Sequence, residues 1–220
     1  YRPFSAPREE TDRWREEARK AAEEADVVVM PLGEHCFQSG EAASRAFIEI
    51  PEIQQDLFRA VSEVNPNVVA VIFSGRPLDL RVISERSRAV LSVWMPGMEG
   101  GRAIIDVLTG TRTPSGKLPM SFPYCVGQVP VHYDSLMTGR PYRKGKPERY
   151  VSRYQDIPAD PLYSFGYGLT YTSMELSEVH LSKNELMPGE EIEASVTIKN
   201  TGKREGTETV QLYLRDVTGS

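Results

Sequence analysis

Two glutamates, Glu34 and Glu41, sit in the stretch Gly33-Glu34-His35-Cys36-Phe37-Gln38-Ser39-Gly40-Glu41-Ala42-Ala43-Ser44-Arg45. The apolar run Val27-Val28-Val29-Met30 just before it reads as a buried strand, so both acids lie where the chain leaves a sheet. A carboxyl group there can donate and recover a proton if burial or a neighbouring charge keeps it protonated near neutrality. A solvated loop acid, or a cap for the following segment, needs no such setting, and at this level both readings of Glu41 stand open. Gly40, Ala42 and Ala43 leave Glu41 without bulky neighbours. His35 beside Cys36 invites a metal or Cys–His reading, but one adjacent pair is short of the three or four ligands zinc takes. Cys36 and Cys125, the two cysteines of the chain, read as isolated thiols.

Other chemistries find no support. The glycine clusters Gly97-Met98-Glu99-Gly100-Gly101 and Ser39-Gly40-Glu41-Ala42-Ala43-Ser44 match neither the dinucleotide fingerprint nor a P-loop, and no Gly-Lys-Ser/Thr occurs. There is no G-x-S-x-G elbow for a hydrolytic serine. Lys and Arg are dispersed and the net charge is −5, which argues against nucleic acid as a partner. No apolar run approaches the roughly 18 residues of a membrane helix. What remains is carboxylates on strand-end loops.

The elements that must position them follow from periodicity. Residues 9–25, rich in Glu, Arg and Ala, predict a solvent-facing helix with i,i+4 pairs such as Glu16–Lys20. Pro51 opens a second helix with Ile53, Leu57, Val61 and Val64 on one face, ended by Asn65-Pro66-Asn67. "VVAVIFSGRPLDL" and "RAVLSVWMPG" are further continuous apolar strands, and "MEGGRAIIDVLTG" is a helix closed by Gly110. Continuous strands between helices predict an α/β fold: a mainly parallel sheet buried on both faces, with helices on both. The loops after its strands gather at the carboxyl edge. From 111 to about 170 the chain is Pro-, Gly- and Tyr-rich. Beyond Ser173, alternation in "IEASVTIKN" and "TVQLYLR" predicts antiparallel strands, too few to close a sandwich. The chain opens without Met, and both ends read as truncations.

The combination "SGEAASR", "SGRPL", "PGMEGG", "PSGKLPMSFP" and "PLYSFGYGLTYT" resembles the C-terminal half of glycoside hydrolase family 3, nearest the bacterial periplasmic β-glucosidase type, over residues ~25–220. The segment "NTGKREGTETVQLYLRD" resembles the start of that family's fibronectin type III-like domain. The resemblance implies an α/β sandwich domain over 1–172, lacking its first strand, and a truncated fibronectin-like part over 173–220. It implies a retaining β-glucosidase acting on terminal β-D-glucosyl residues of oligosaccharides or glycosides. Its aspartate nucleophile would lie in a TIM-barrel domain absent here, and its general acid/base in an S-G-E-x-x-x-R loop. Glu41 matches that acid/base.

On the same grounds Glu34 is a supporting residue, and Arg45 either orients Glu41 or forms an ordinary loop salt bridge. His35 and Gln38 are candidates to touch the leaving-group sugar. Trp94 reads as core, and the tyrosines of 142–171 as interdomain packing. Where relatives carry Asp or Thr-Asp after the loop arginine, this chain has Ala46-Phe47-Ile48, so a polar anchor is exchanged for packing. No metal or organic cofactor, nucleic acid or membrane partner is implied. A homodimer is allowed, and the compartment would be periplasmic or secreted. The alternatives are a β-xylosidase or other family 3 exo-glycosidase, and, from another class, a non-catalytic carbohydrate-binding or scaffold module.

Overall fold

The computed structural model describes residues 7–136, 138–145 and 148–216. The outer ends of the two expected domains, 1–6 and 217–220, lie outside the described residues, as do 137, 146 and 147. By its contacts the chain forms two compact units, residues 1–100 with 119–165 and residues 101–118 with 166–219.

The first unit is built on a three-stranded parallel sheet ordered β1-β2-β3, with β1 Val28–Gly33, β2 Val68–Phe73 and β3 Ala89–Ser92. Helix α1 (Arg8–Glu24) precedes β1, α2 (Glu52–Val64) joins β1 to β2, and α3 (Arg81–Arg86) joins β2 to β3. Such helical crossovers are what parallel pairing requires. Register runs Val28 to Val68 through Gly33 to Phe73, and Val69 to Ala89 through Ile72 to Ser92.

Central β2 is covered on both sides: Val68, Ala70, Val71 and Ile72 are all buried. The valines and Ile72 each contribute about 1.5–3 kcal/mol by leaving water. The expected two-sided burial does not extend to β1, whose Met30 and Leu32 are buried while Val29 and Pro31 on the alternate side are exposed. The reason is topological: β1 is an edge strand with a neighbour on one side only. The predicted face of α2 also shifts. Ile53 is exposed and Phe58 (1% exposed) is the residue driven inward with Val61. The six-residue α3 is an element that the apolar pattern did not signal.

Helix α1 is solvent-facing, with Ala22 its buried residue and ion pairs such as Arg13–Glu17 and Arg19–Glu23 along it. Glu16 reaches Arg19 at 3.7 Å rather than Lys20. The end of α1 is tied down by buried Asn65, whose amide nitrogen donates to the carbonyls of Ala22 (2.9 Å) and Ala25 (2.7 Å). Its amide oxygen accepts from Asn67 N at 2.8 Å. The Asn-Pro-Asn turn that stops α2 therefore also satisfies carbonyls that a helix terminus leaves open.

Helix α4 (Gly100–Leu108), which belongs to the second unit from Gly101 onward, is closed by Gly110 in the left-handed region at φ 74°. Two short antiparallel pairs follow: β4 (Met174–Leu176) with β7 (Ile198–Asn200), and β5 (His180–Leu181) with β6 (Ala194–Ser195). The strand predicted over 209–215 does not form. Leu212 and Leu214 are exposed there, and among the described residues no neighbouring strand offers a ladder.

The 110–118 segment is stitched to later chain by polar contacts. Leu118 N donates to Tyr167 O, Gly166 N donates to Leu118 O, and Arg204 Nη1 donates to Gly110 O, each at 2.8 Å. Lys117 Nζ lies 2.9 Å from Glu208 Oε1, with side chains only 17% and 14% exposed, and also donates to Gly168 O. The hydrogen bond from Lys117 holds the Glu208 carboxyl below the usual carboxylate range, against the opposing push of burial. The pair therefore stabilises the fold above that range and loses its contribution as pH falls through the lowered value. Lys117→Met is expected to cost about 1–2 kcal/mol at pH 7 in urea unfolding, a difference that shrinks at strongly acid pH to what the bond to Gly168 O contributes.

Candidate active site

At the carboxyl edge of the sheet, hydrogen bonding continues one step beyond the strands. Glu34 N donates to Phe73 O (2.8 Å) and Ser74 N to Trp94 O (3.3 Å). These bonds bring together the roots of three loops, the residues after β1, β2 and β3, as parallel topology predicts. The approach is close at Gly33, where a Cβ would fall 1.8 Å from Phe73 O, and its φ of 141° lies where side chains are disfavoured. Gln54, from the first turns of α2, clamps Gly33 as well, accepting from its N–H (2.7 Å) and donating to its carbonyl (3.0 Å).

Glu34 heads the first loop with its side chain fully buried (0% exposed) between two arginines. Arg45 Nη1 donates to Oε1 at 2.8 Å. Arg76 Nε lies 3.0 Å from the same oxygen, an ion pair without the alignment of a hydrogen bond. Oε2 accepts from Gly75 N at 3.2 Å. The arginines stay partly wet, at 21% and 23% exposed, so the charge cluster is buried from the carboxylate side only.

The loop between them is ordered by short-range bonds. His35-Cys36-Phe37-Gln38 forms a single 3-10 turn in which the Gln38 side-chain oxygen accepts from His35 N (2.8 Å) and the His35 ring accepts from Phe37 N (3.3 Å). Cys36 Sγ lies 3.6 Å from His35 Nδ1. Among the described residues no group of three or more His, Cys, Asp or Glu side chains could hold a metal. Beyond the turn the chain swings through Gly40 (φ 107°), exposed Glu41 and Ala42 (φ 56°).

The carboxylate of Glu41 makes no hydrogen bond or ion pair among the described residues. Arg45 turns away from it, pairing with Glu34 and donating through Nη2 to Glu49 O at 2.8 Å. Past the loop, Ile48 is buried and accepts from Asp79 N (3.0 Å), while Phe47 is exposed. Of the Ala46-Phe47-Ile48 departure, Ile48 thus supplies the packing anchor.

Arg76 was not weighed as a site residue from the sequence, although it stands in the "SGRPL" segment singled out there. Its Nη2 donates at 2.7 Å to both Gln38 O and Ala43 O. An arginine next to the Ser-Gly turn of a neighbouring strand was the available signal. Only the fold reveals that its reach ends on the first loop. Trp94, at the root of the third loop, is half-buried 5.7 Å from Phe122 and sits at φ 51°, a strained conformation for a bulky residue.

Residues 2–171 match the family model described as the glycosyl hydrolase family 3 C-terminal domain. The chain belongs to that family. This family 3 domain is 49% identical over 205 residues, 93% of its length, to a periplasmic beta-glucosidase of Salmonella typhimurium. A beta-xylosidase of Formosa agariphila is 36% identical over 204 residues, or 91% of the chain. The chain spans 27% of each of these two relatives. Its fold matches the crystal structure of the beta-glucosidase from Listeria innocua in complex with glucose at TM-score 0.88 and 45% identity. That match covers 98% of this chain and 29% of the Listeria chain.

Replacing Glu34 by Gln leaves two arginines facing a neutral amide in a buried position. The expected cost is about 3 kcal/mol in urea unfolding. A loss below about 1 kcal/mol would mean that the cluster behaves as an ordinary surface pair.

Proposed function

We propose that this family 3 domain supplies the general acid/base, Glu41, to the active site of a retaining β-glucosidase that another domain completes. The observation that carries the reading is the placement of Glu41: an exposed, unpartnered carboxylate on a latched loop at the meeting edge of three strand-end loops. Family membership and the 49% identical relative named as a beta-glucosidase support the sugar chemistry.

In this mechanism an aspartate from a TIM-barrel domain, elsewhere in a longer polypeptide, attacks the anomeric carbon of a terminal β-D-glucosyl residue. Glu41 gives its proton to the glycosidic oxygen as that bond breaks. Retention requires the two carboxyl groups about 5–5.5 Å apart across the scissile bond. Water then enters, Glu41 takes its proton, and the oxygen displaces the aspartate with the β configuration restored. Flanking residues as small as Gly40, Ala42 and Ala43 let the loop press against a second domain without steric conflict. His35 and Gln38, on the turn before it, are read as candidates to touch the leaving-group sugar. Glu34 and Arg45 support the loop rather than the substrate.

Residues 1–172 are read as the α/β sandwich domain and 173–220 as the start of a fibronectin type III-like sandwich, with β4–β7 and β5–β6 as its first pairings. A periplasmic or secreted location is proposed by analogy with the Salmonella relative. The Formosa beta-xylosidase favours one second reading, a pentose in place of glucose, through a choice made by barrel residues.

The test uses the complete enzyme containing this chain. Glu41→Ala is expected to lower kcat on glucosides with poor leaving groups by about 10²–10³-fold. Activated aryl glucosides should be largely spared at the first step, and azide should restore turnover by forming the β-glucosyl azide. Unchanged turnover on poor leaving groups would overturn the assignment. The 220-residue chain alone, lacking a nucleophile, should release no nitrophenol from aryl β-glucosides.

A further inference from the structure

We infer that Arg76 is the positioning residue of the Glu41 loop: it pins the carbonyls on either side of Glu41 and so sets the direction in which that carboxyl points. The inference rests on the acid/base reading above for its catalytic consequence, and on geometry alone for the clamp.

The backbone from Gln38 to Ala43 has little holding it from within. Its one internal bond is Ala43 N to Gly40 O at 3.3 Å, long for an amide pair. Two of its residues, Gly40 and Ala42, have positive φ, and for alanine that conformation is disfavoured by contact between Cβ and the backbone. An arc of this kind, exposed at Gly40, Glu41 and Ala42, would fluctuate among conformations if left to itself.

What closes it comes from the neighbouring strand end. A single nitrogen, Arg76 Nη2, carries two N–H groups and sends one to Gln38 O and one to Ala43 O, both at 2.7 Å. The two carbonyls bracket Glu41, so fixing them fixes the chord of the arc. The turn beneath is packed equally closely: a Cβ on Gly75 would fall 1.8 Å from Ser39 Oγ.

Arg76 is itself held from behind by Glu34, whose Oε1 lies 3.0 Å from Nε. Arg45 Nη1 donates to the same oxygen and Gly75 N to the other, so Glu34 is itself held opposite the guanidinium. A rigid planar fork that engages an anion with one nitrogen and two carbonyls with another is a geometry lysine cannot copy. Arg76→Lys therefore keeps the charge opposite Glu34 while breaking the span, and it is the informative variant if Arg76→Met fails to fold.

Two measurements decide the matter. In the 220-residue chain, a glutamyl endopeptidase reads how often the arc opens at the Glu41–Ala42 bond. Arg76→Lys and Arg76→Met should be cut there about tenfold faster than wild type, with cleavage at other glutamates unchanged. A wild-type rate at that bond in both variants overturns the clamp.

In the complete enzyme, Arg76→Lys should lower kcat on poor leaving groups by about 30-fold or more, with KM held within about twofold and much smaller losses on activated aryl glucosides. An equal loss on both substrate classes would overturn the positioning role, because it would no longer act through proton donation. If Glu41→Ala itself shows no dependence on the leaving group, the acid/base reading falls. The catalytic half of this inference then falls with it, while the proteolysis still judges the clamp.

Discussion

A carboxylate with no exposed surface, Glu34, is the constraint around which the carboxyl edge of the sheet is organised. Moving an anion out of water costs several kcal/mol unless each oxygen finds a partner. Here those partners come from two separate stretches of chain: Arg45 from the far end of its own loop, and Gly75 and Arg76 from the turn after β2. Solvating Glu34 properly thus requires the β1 loop to fold back on itself and the β2 turn to approach it. One desolvation penalty enforces two loop conformations, and neither loop could shift far without uncovering a charge.

The same loop carries two glutamates in opposite surroundings. Glu34 is immobilised and saturated with partners, whereas Glu41 stands exposed with its oxygens uncommitted. A proton-transfer group has to remain available to a substrate, so its own contacts must be few and its backbone must be held by something else. The arginines meet that requirement by bonding to carbonyls and to Glu34 while leaving Glu41 alone. Rigidity in the support and freedom in the Glu41 carboxyl follow from one network. The 3-10 turn at His35–Gln38, closed by its own side-chain bonds, extends the same logic to the start of the loop.

The strands and long helices were legible because their physics is local. β-branched runs mark β1 and β2, Pro51 marks the start of α2, and Gly110 marks the end of α4. What escaped depended on context the chain does not state. Ile53 has the spacing of a core residue yet is exposed, because the face α2 turns inward centres on Phe58 and Val61. Residues 209–215 alternate like a strand, but alternation needs a neighbour to pair with, and among the described residues none is present. Glu41 could be singled out through a motif and its small neighbours. Arg76 could not, since its role arises when two strand ends that are distant in sequence become adjacent. The clasp at Asn65 was hidden for the same reason: Asn-Pro-Asn reads as a stop, and its bonds to α1 exist only after the helices pack.

Gly33 carries a consequence for how this loop can change over evolutionary time or in the laboratory. The space where any side chain would begin is already taken by Phe73 O, and Gln54 grips both polar groups of the same peptide. Insertions, deletions or substitutions there would push β1 off its neighbour, so the origin of the loop is closed to variation. At the tip the limit is of another kind: a Cβ at Gly40 would meet nothing within 4 Å, but the backbone there, at φ 107°, disfavours any side chain. Both glycines are thereby fixed in kind, Gly33 by a neighbouring carbonyl and Gly40 by its own backbone angle.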